Sequence, residues 1–132
     1  MCLVALAWKS HPRWPLVLVG NRDEFHARPT AALHAWPDTG VLAGRDLQSG
    51  GTWIGLGPAG RAAVVTNVRD GLPPPFSAPS RGELPLAFLQ GDVGPEAHAA
   101  ALATQASRYA AFNLVVADAR GCAYVGNHPA QG

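Results

Sequence analysis

Cys2 stands directly after the initiator Met1, at the head of an apolar run that ends at Trp8. Removal of Met1, common before a small residue, would put a thiol and a free α-amino group on one residue. An α-amino group with a pKa of about 7.7–8.0 is partly neutral near neutral pH and accepts the proton of a thiol whose pKa is about 8.5. This is the arrangement of an N-terminal nucleophile. The plain alternative is a small buried hydrophobe at the start of a strand, the usual fate of a free cysteine. The second group with chemical potential is "GNRDEF", where Asn21, Arg22, Asp23 and Glu24 follow an apolar run without interruption. At a strand end such residues fan out from a sheet edge, where an arginine presents donors to a carbonyl or carboxylate and an acid orients the arginine or an amine. Their plain alternative is a solvated turn with ordinary ion pairs.

Other motifs fall away. "GLGPAG" (55–60) matches a dinucleotide fingerprint letter for letter, but a β-branched run follows it in place of a helix whose N-terminus could hold a pyrophosphate. It reads as a hairpin turn. His11, His26, His34, His98 and His128 lack the paired spacing of a zinc site, and no second cysteine lies near Cys2. No metal is expected. No phosphate loop and no Gly-x-Ser-x-Gly elbow is present.

The elements that must position these residues are read from short apolar runs between turn residues. Residues 3–8 and "PLVLVG" (15–20) predict a hairpin, which would return the end of its second strand to the start of its first and make Cys2 a neighbour of the Asn-Arg-Asp-Glu cluster. Residues 21–40 lose periodicity and predict a long loop. Three strands are then predicted at 41–46, 51–57 and 61–67, the last two joined by the turn at Pro58, Ala59 and Gly60. A proline-rich stretch (71–82) admits neither a helix nor an inner strand. It leads to helices expected over 83–91 and 95–110, each with proline and glutamate in its first turn. Residues 112–118 and 122–127 close with a second hairpin. Strands, then helices, then strands predict an α+β layered fold. Ending just past that hairpin, the chain reads as unfinished.

Composition narrows the function classes. A chain of 132 residues, 48% of them hydrophobic, suits one domain with a modest core. Ten basic and nine acidic residues give a net charge of +1 without a cluster of either sign, which argues against nucleic acid as a partner. The first apolar run is too short to span a membrane and no basic region precedes it, so the expectation is a cytoplasmic protein without stable membrane insertion. Two cysteines, Cys2 and Cys122, predict free thiols and no disulfide scaffold.

"MCLVALAW", "HPRWPLVLVGNRDEFHARPTAALHAW", "GGTWIGLGPAGRAAVVTNVRD", "SRGELP" and "YAAFNLVVAD" come in order over nearly the whole chain. On these segments the sequence resembles the NRDE family, also named for transport and Golgi organisation. Members are similar to N-terminal nucleophile hydrolases, whose αββα sandwich has two antiparallel sheets covered by helices. The resemblance implies that fold. Family members are about twice this long, in line with the size of two-sheet domains, so the expectation is an incomplete N-terminal part of the sandwich.

Similarity to cysteine acylases of that class implies Cys2 as nucleophile, Arg22 or Asp23 as the group holding it, and Asn67 as an oxyanion donor. Asn21, Glu24 and Asn113 would contact substrate, although Asn113 reads equally well as a strand residue satisfying its amide locally. Two readings follow. One is a hydrolase of linear amides with a small-molecule amide substrate and no cofactor. The other is a non-catalytic carrier of haem or acyl lipids, with His11 and His34, flanked by Trp8, Trp14 and Trp36, lining the pocket. A homo-oligomer fits either.

Overall fold

The computed structural model describes residues 3–68 and 73–128. The strands are β1 (Val4–Trp8), β2 (Leu16–Gly20), β3 (Thr30–Ala35), β4 (Leu42–Asp46), β5 (Ile54–Gly57), β6 (Arg61–Asn67), β7 (Phe112–Ala117) and β8 (Cys122–Gly126). Two helices, α1 (Glu83–Leu89) and α2 (Pro95–Ala103), lie between β6 and β7. β1 and β2 form a two-stranded antiparallel sheet, and β3 to β8 form a six-stranded antiparallel sheet in sequence order. The class is therefore α+β with antiparallel sheets, as the element order predicts.

The strand period of two decides which side chains meet the helices. Register pairs Ala63 with Val116 and Val65 with Leu114, and this row packs with Leu84, Phe88 and Leu89 of α1 and Ala99 of α2 into one buried cluster. The alternate row, Val64 with Val115 and Thr66 with Asn113, faces the other way. There the hairpin start covers it: Leu3, Val4 and Leu6 share a cavity of about 300 Å³ with Val64, Thr66, Asn113 and Val115. Helices, large sheet and hairpin thus form three successive layers.

The structure departs from the sequence reading at two elements. β3 occupies part of the expected loop 21–40. Its sequence "TAALHA" is exposed along most of its length, pairs only with β4 and carries a bulge between Ala31 and His34, so no burial pattern marks it. The second helix ends at Ala103 and gives way to a 3₁₀ turn at Ala106–Arg108. Asn127 holds the segment that follows. Its side-chain amide donates to the carbonyls of Ala106 (2.8 Å) and Tyr109 (3.0 Å), and its Oδ1 accepts from the Phe112 N–H (2.9 Å). The predicted turn between β5 and β6 is a 3₁₀ turn with Ala59 and Gly60 both at positive φ (61° and 75°).

A stacked trio ties α1 and α2 to the sheet. The Arg61 guanidinium lies 3.7 Å from the Phe88 ring centroid, and the His98 ring meets Phe88 edge-on at 5.2 Å. Arg61 Nε and Nη2 donate to the Phe88 carbonyl (2.8 and 2.6 Å) and Nη2 also to that of Val93 (2.8 Å). A cation thereby meets carbonyls at the C-terminal end of α1, where the helix dipole favours it.

Burial, and then the Arg61 charge, hold His98 below the ordinary histidine value of 6.5. Charging His98 therefore costs more in the fold than in the unfolded chain. Its contribution to stability is complete above pH ~6.5 and is lost as pH falls toward the lowered folded-state value. Thermal melts from pH 7.5 to 5 should show a declining Tm that is shallower in His98→Gln. Parallel curves for the two proteins would contradict this.

Candidate functional site

A cleft of about 510 Å³ opens where the β2–β3 connection, the turn after β4, the entry to β5, the end of β6 and the proline-rich segment converge. Arg22, Asp23 and Glu24 line it from the first connection, Trp53 from the entry to β5 and Asn67 from the end of β6. Backbone contact sets its floor. A Cβ on Gly51 would lie 2.5 Å from the Gly82 carbonyl carbon, and the Thr52 N–H donates to the Gly82 carbonyl at 3.1 Å. Two glycines thus let the strand entry and the helix entry touch.

Within the cleft the charges are not equivalent. Arg28 Nη2 lies 2.6 Å from Asp46 Oδ2 and its Nε donates to the same oxygen at 2.8 Å, a two-pronged pair. Burial pushes the Asp46 carboxyl up, but the Arg28 guanidinium and the N–H groups of Gln48 and Ser49 outweigh it and hold the group below its ordinary value. Glu24 accepts from the Phe25 N–H (3.0 Å) and reaches Arg28 Nε at 3.8 Å. Arg81 donates to the Ala111 carbonyl at 2.8 Å. Arg22 differs. Its guanidinium carbon sits 4.4 Å from the centroid of the Trp53 indole and Nη1 donates to Thr30 Oγ1 at 3.3 Å. No carboxylate among the described residues pairs with it.

Asn21 turns toward the chain start. Its Oδ1 accepts from the Leu3 N–H (2.9 Å) and its own N–H donates to the Leu3 carbonyl (3.1 Å). This clasp continues the β1–β2 ladder by one residue, beyond the Val4–Gly20 pair. Cys2, covalently next to Leu3, lies outside the described residues. The clasp adjoins the cleft, because Trp53 and Val65 line both the cleft and a small cavity of about 30 Å³ shared with Val4, Gly20 and Asn21.

Asn113 is elsewhere. It sits on the hairpin side of the large sheet, where its Nδ2 donates to Thr66 Oγ1 (3.1 Å) and its Oδ1 meets the Tyr124 hydroxyl (2.6 Å) and His128 Nε2 (2.8 Å). His11 and His34 do not line the 510 Å³ cleft. His11 Nδ1 accepts from the Arg13 N–H at 3.1 Å, and His34 Nδ1 is 2.7 Å from the Ala32 carbonyl while its ring stacks on Trp36 at 6.1 Å. Among the described residues no three His, Cys, Asp or Glu side chains gather to hold a metal, and no helix is long and apolar enough to cross a membrane.

Sequence reasoning passed over Trp53, Arg28, Asp46 and the proline-rich wall. The glycine pair before "TW" was the available signal for Trp53: a bulky ring after two residues that admit close backbone approach.

The family model for Transport and Golgi organisation 2 matches residues 1–132. The chain belongs to that family. Among curated relatives, the Transport and Golgi organization protein 2 homologs of Bos taurus and Homo sapiens are 34% and 33% identical over 128 residues, each match covering 89% of this chain and 45% of the relative. The Transport and Golgi organization protein 2 of Drosophila melanogaster is 30% identical over 130 residues, covering 87% of this chain and 45% of its own. The chain of this family member therefore spans about half the length of the curated relatives it matches.

Proposed function

We propose that this Transport and Golgi organisation 2 family chain carries the N-terminal part of a cysteine hydrolase of linear amides. The observation that carries the reading is the clasp of Asn21 on Leu3 beside a cleft lined by Arg22, Asp23 and Asn67. Leu3, which follows Cys2 in the sequence, is thereby tied to the polar cluster. With Met1 removed, the Cys2 α-amine takes the thiol proton and the thiolate attacks the amide carbon. The oxyanion is held by Asn67 and backbone N–H groups, with Asp23 fixing the amine. Collapse breaks the C–N bond, the amine leaves with the proton, and water then cleaves the thioester to a carboxylic acid and free Cys2.

The same reading extends the three layers to an αββα sandwich of the N-terminal nucleophile type. Leu42, Leu56 and Tyr124 support this: they follow the same row as Val64 by register and remain substantially exposed, as they would if further strands joined the hairpin.

Intact mass and alkylation test the proposal together. The expected mass lacks Met1, and Cys2 should react with iodoacetamide faster than Cys122, whose thiol burial pushes up. The difference should be largest near neutral pH and narrow as pH rises, because reactivity follows the thiolate fraction. Retained methionine, or equal rates across a pH series, would reject the N-terminal nucleophile.

A further inference from the structure

Arg22 is the unusual charge of the cleft. Arg28 is neutralised by Asp46 and shared with Glu24, whereas Arg22 is half-buried and, among the described residues, finds a hydroxyl and an aromatic face but no carboxylate. A guanidinium has five N–H donors in a planar fork. The single bond to Thr30 leaves most of that fork unused at the wall of a 510 Å³ cavity.

Its position is also built. Thr30 accepts from Arg22 and in turn donates to the Arg28 carbonyl at 3.3 Å, so the hydroxyl is itself oriented. The Trp53 indole is seated in a slot that β4 leaves open at Gly44, where a Cβ would lie 2.8 Å from Trp53 Cη2. A ring fixed by backbone shape holds the guanidinium plane against it, so little side-chain freedom remains to be lost on binding.

We propose that Arg22, stacked on Trp53, is the receptor for a carboxylate carried by the small molecule that enters this cleft. A monoanion matches the charge available: Arg22, Arg28 and Arg81 balance Asp23, Glu24 and Asp46 in the cleft lining, Arg28 is already held by Asp46 and Glu24, and Arg22 is a guanidinium that meets no carboxylate among the described residues, which suits one added negative charge better than two. Trp53 is a positioning residue that acts through Arg22. The inference rests on the proposed hydrolase site for its location and narrows the substrate to amides bearing an acid, such as N-acyl amino acids.

Calorimetric titrations in a Cys2→Ala background, which removes the nucleophile and so separates binding from turnover, decide the matter. The probes are hippurate, its uncharged analogue hippuramide, and phenyl phosphate. Hippurate should bind about tenfold or more tightly than hippuramide, the scale of one charge-assisted pair. Arg22→Gln should abolish that preference and Arg22→Lys should reduce it. Trp53→Leu should weaken hippurate binding while Trp53→Phe restores it, a rescue that a purely structural role for the indole would not give. Equal binding of acid and amide by the parent protein overturns the proposal, and so does retained preference in Arg22→Gln. Tighter binding of phenyl phosphate overturns the choice of carboxylate. Slow Cys2 alkylation with intact hippurate preference would reject the hydrolase and leave the carboxylate receptor standing, whereas fast alkylation without that preference would do the reverse.

Discussion

Replacing Phe88 by alanine should lower the unfolding free energy by about 3–5 kcal/mol, the range for truncating a fully buried aromatic. Phe88 has no exposed surface and lies at the centre of the cluster joining α1, α2 and the large sheet. Its ring touches two partners that cannot close the space. Arg61 is fixed by three hydrogen bonds to carbonyls, and His98 belongs to the other helix. The void would therefore persist and expose a guanidinium to it, adding to the lost transfer free energy. For a small domain, whose total stability is about 5–15 kcal/mol, this is a large share. Phe76→Ala is the matched control. Phe76 is 99% exposed, so its loss should stay within about 0.5 kcal/mol. Urea unfolding of the three proteins checks both statements, with Phe88→Leu serving if the alanine variant does not fold. A Phe88→Ala loss below about 1 kcal/mol would mean that the cluster collapses around the site.

The contrast between Phe88 and Phe76 also shows what a sequence discloses. β6 and β7 were legible because their side chains alternate between a helix-covered row and a hairpin-covered row, and Ala63, Val65, Leu114 and Val116 announce the first of these. β3 was not legible. "TAALHA" buries almost nothing, and its ladder with β4 comes from pairing across the chain and not from a pattern of its own. The 3₁₀ turn after α2 was equally hidden, since the side chain that binds its carbonyls, Asn127, belongs to a distant hairpin. Asn, Arg, Asp and Glu at 21–24 could be picked out as an interrupted apolar pattern. Their separate duties could not. That Asn21 clasps Leu3 and that Arg22 meets no carboxylate among the described residues follow from register and from Arg28 claiming Asp46, contacts between residues 18 apart in each case.

Cys2→Ala should lower amide turnover at least about 10³-fold, because loss of a covalent nucleophile removes the whole two-step route and leaves only binding and oxyanion stabilisation. The substitution cannot act by unfolding the site as described, since the Asn21 clasp and the ladder beyond it use backbone atoms of Leu3 and Val4. Ligand affinity should accordingly survive. The same substitution separates catalysis from carriage. Burial of an apolar ligand needs no thiolate, so a carrier of haem or acyl lipid would bind Cys2→Ala as well as the parent protein and hydrolyse nothing in either form. Turnover is to be measured on a panel of N-acyl amides, with haem and an acyl-CoA titrated against both proteins and a full-length relative run in parallel. Because this chain spans about 45% of the relatives' length, turnover by the relative alone would assign the remaining catalytic groups to the part that those relatives add. Turnover by neither protein, with haem binding unchanged by Cys2→Ala, would reject the hydrolase. Loss of turnover in Cys2→Ala with retained ligand binding is the outcome the proposed hydrolase predicts, because its proposed ligand receptor is Arg22 on Trp53 in the cleft, while the thiol would enter only when a bond is broken.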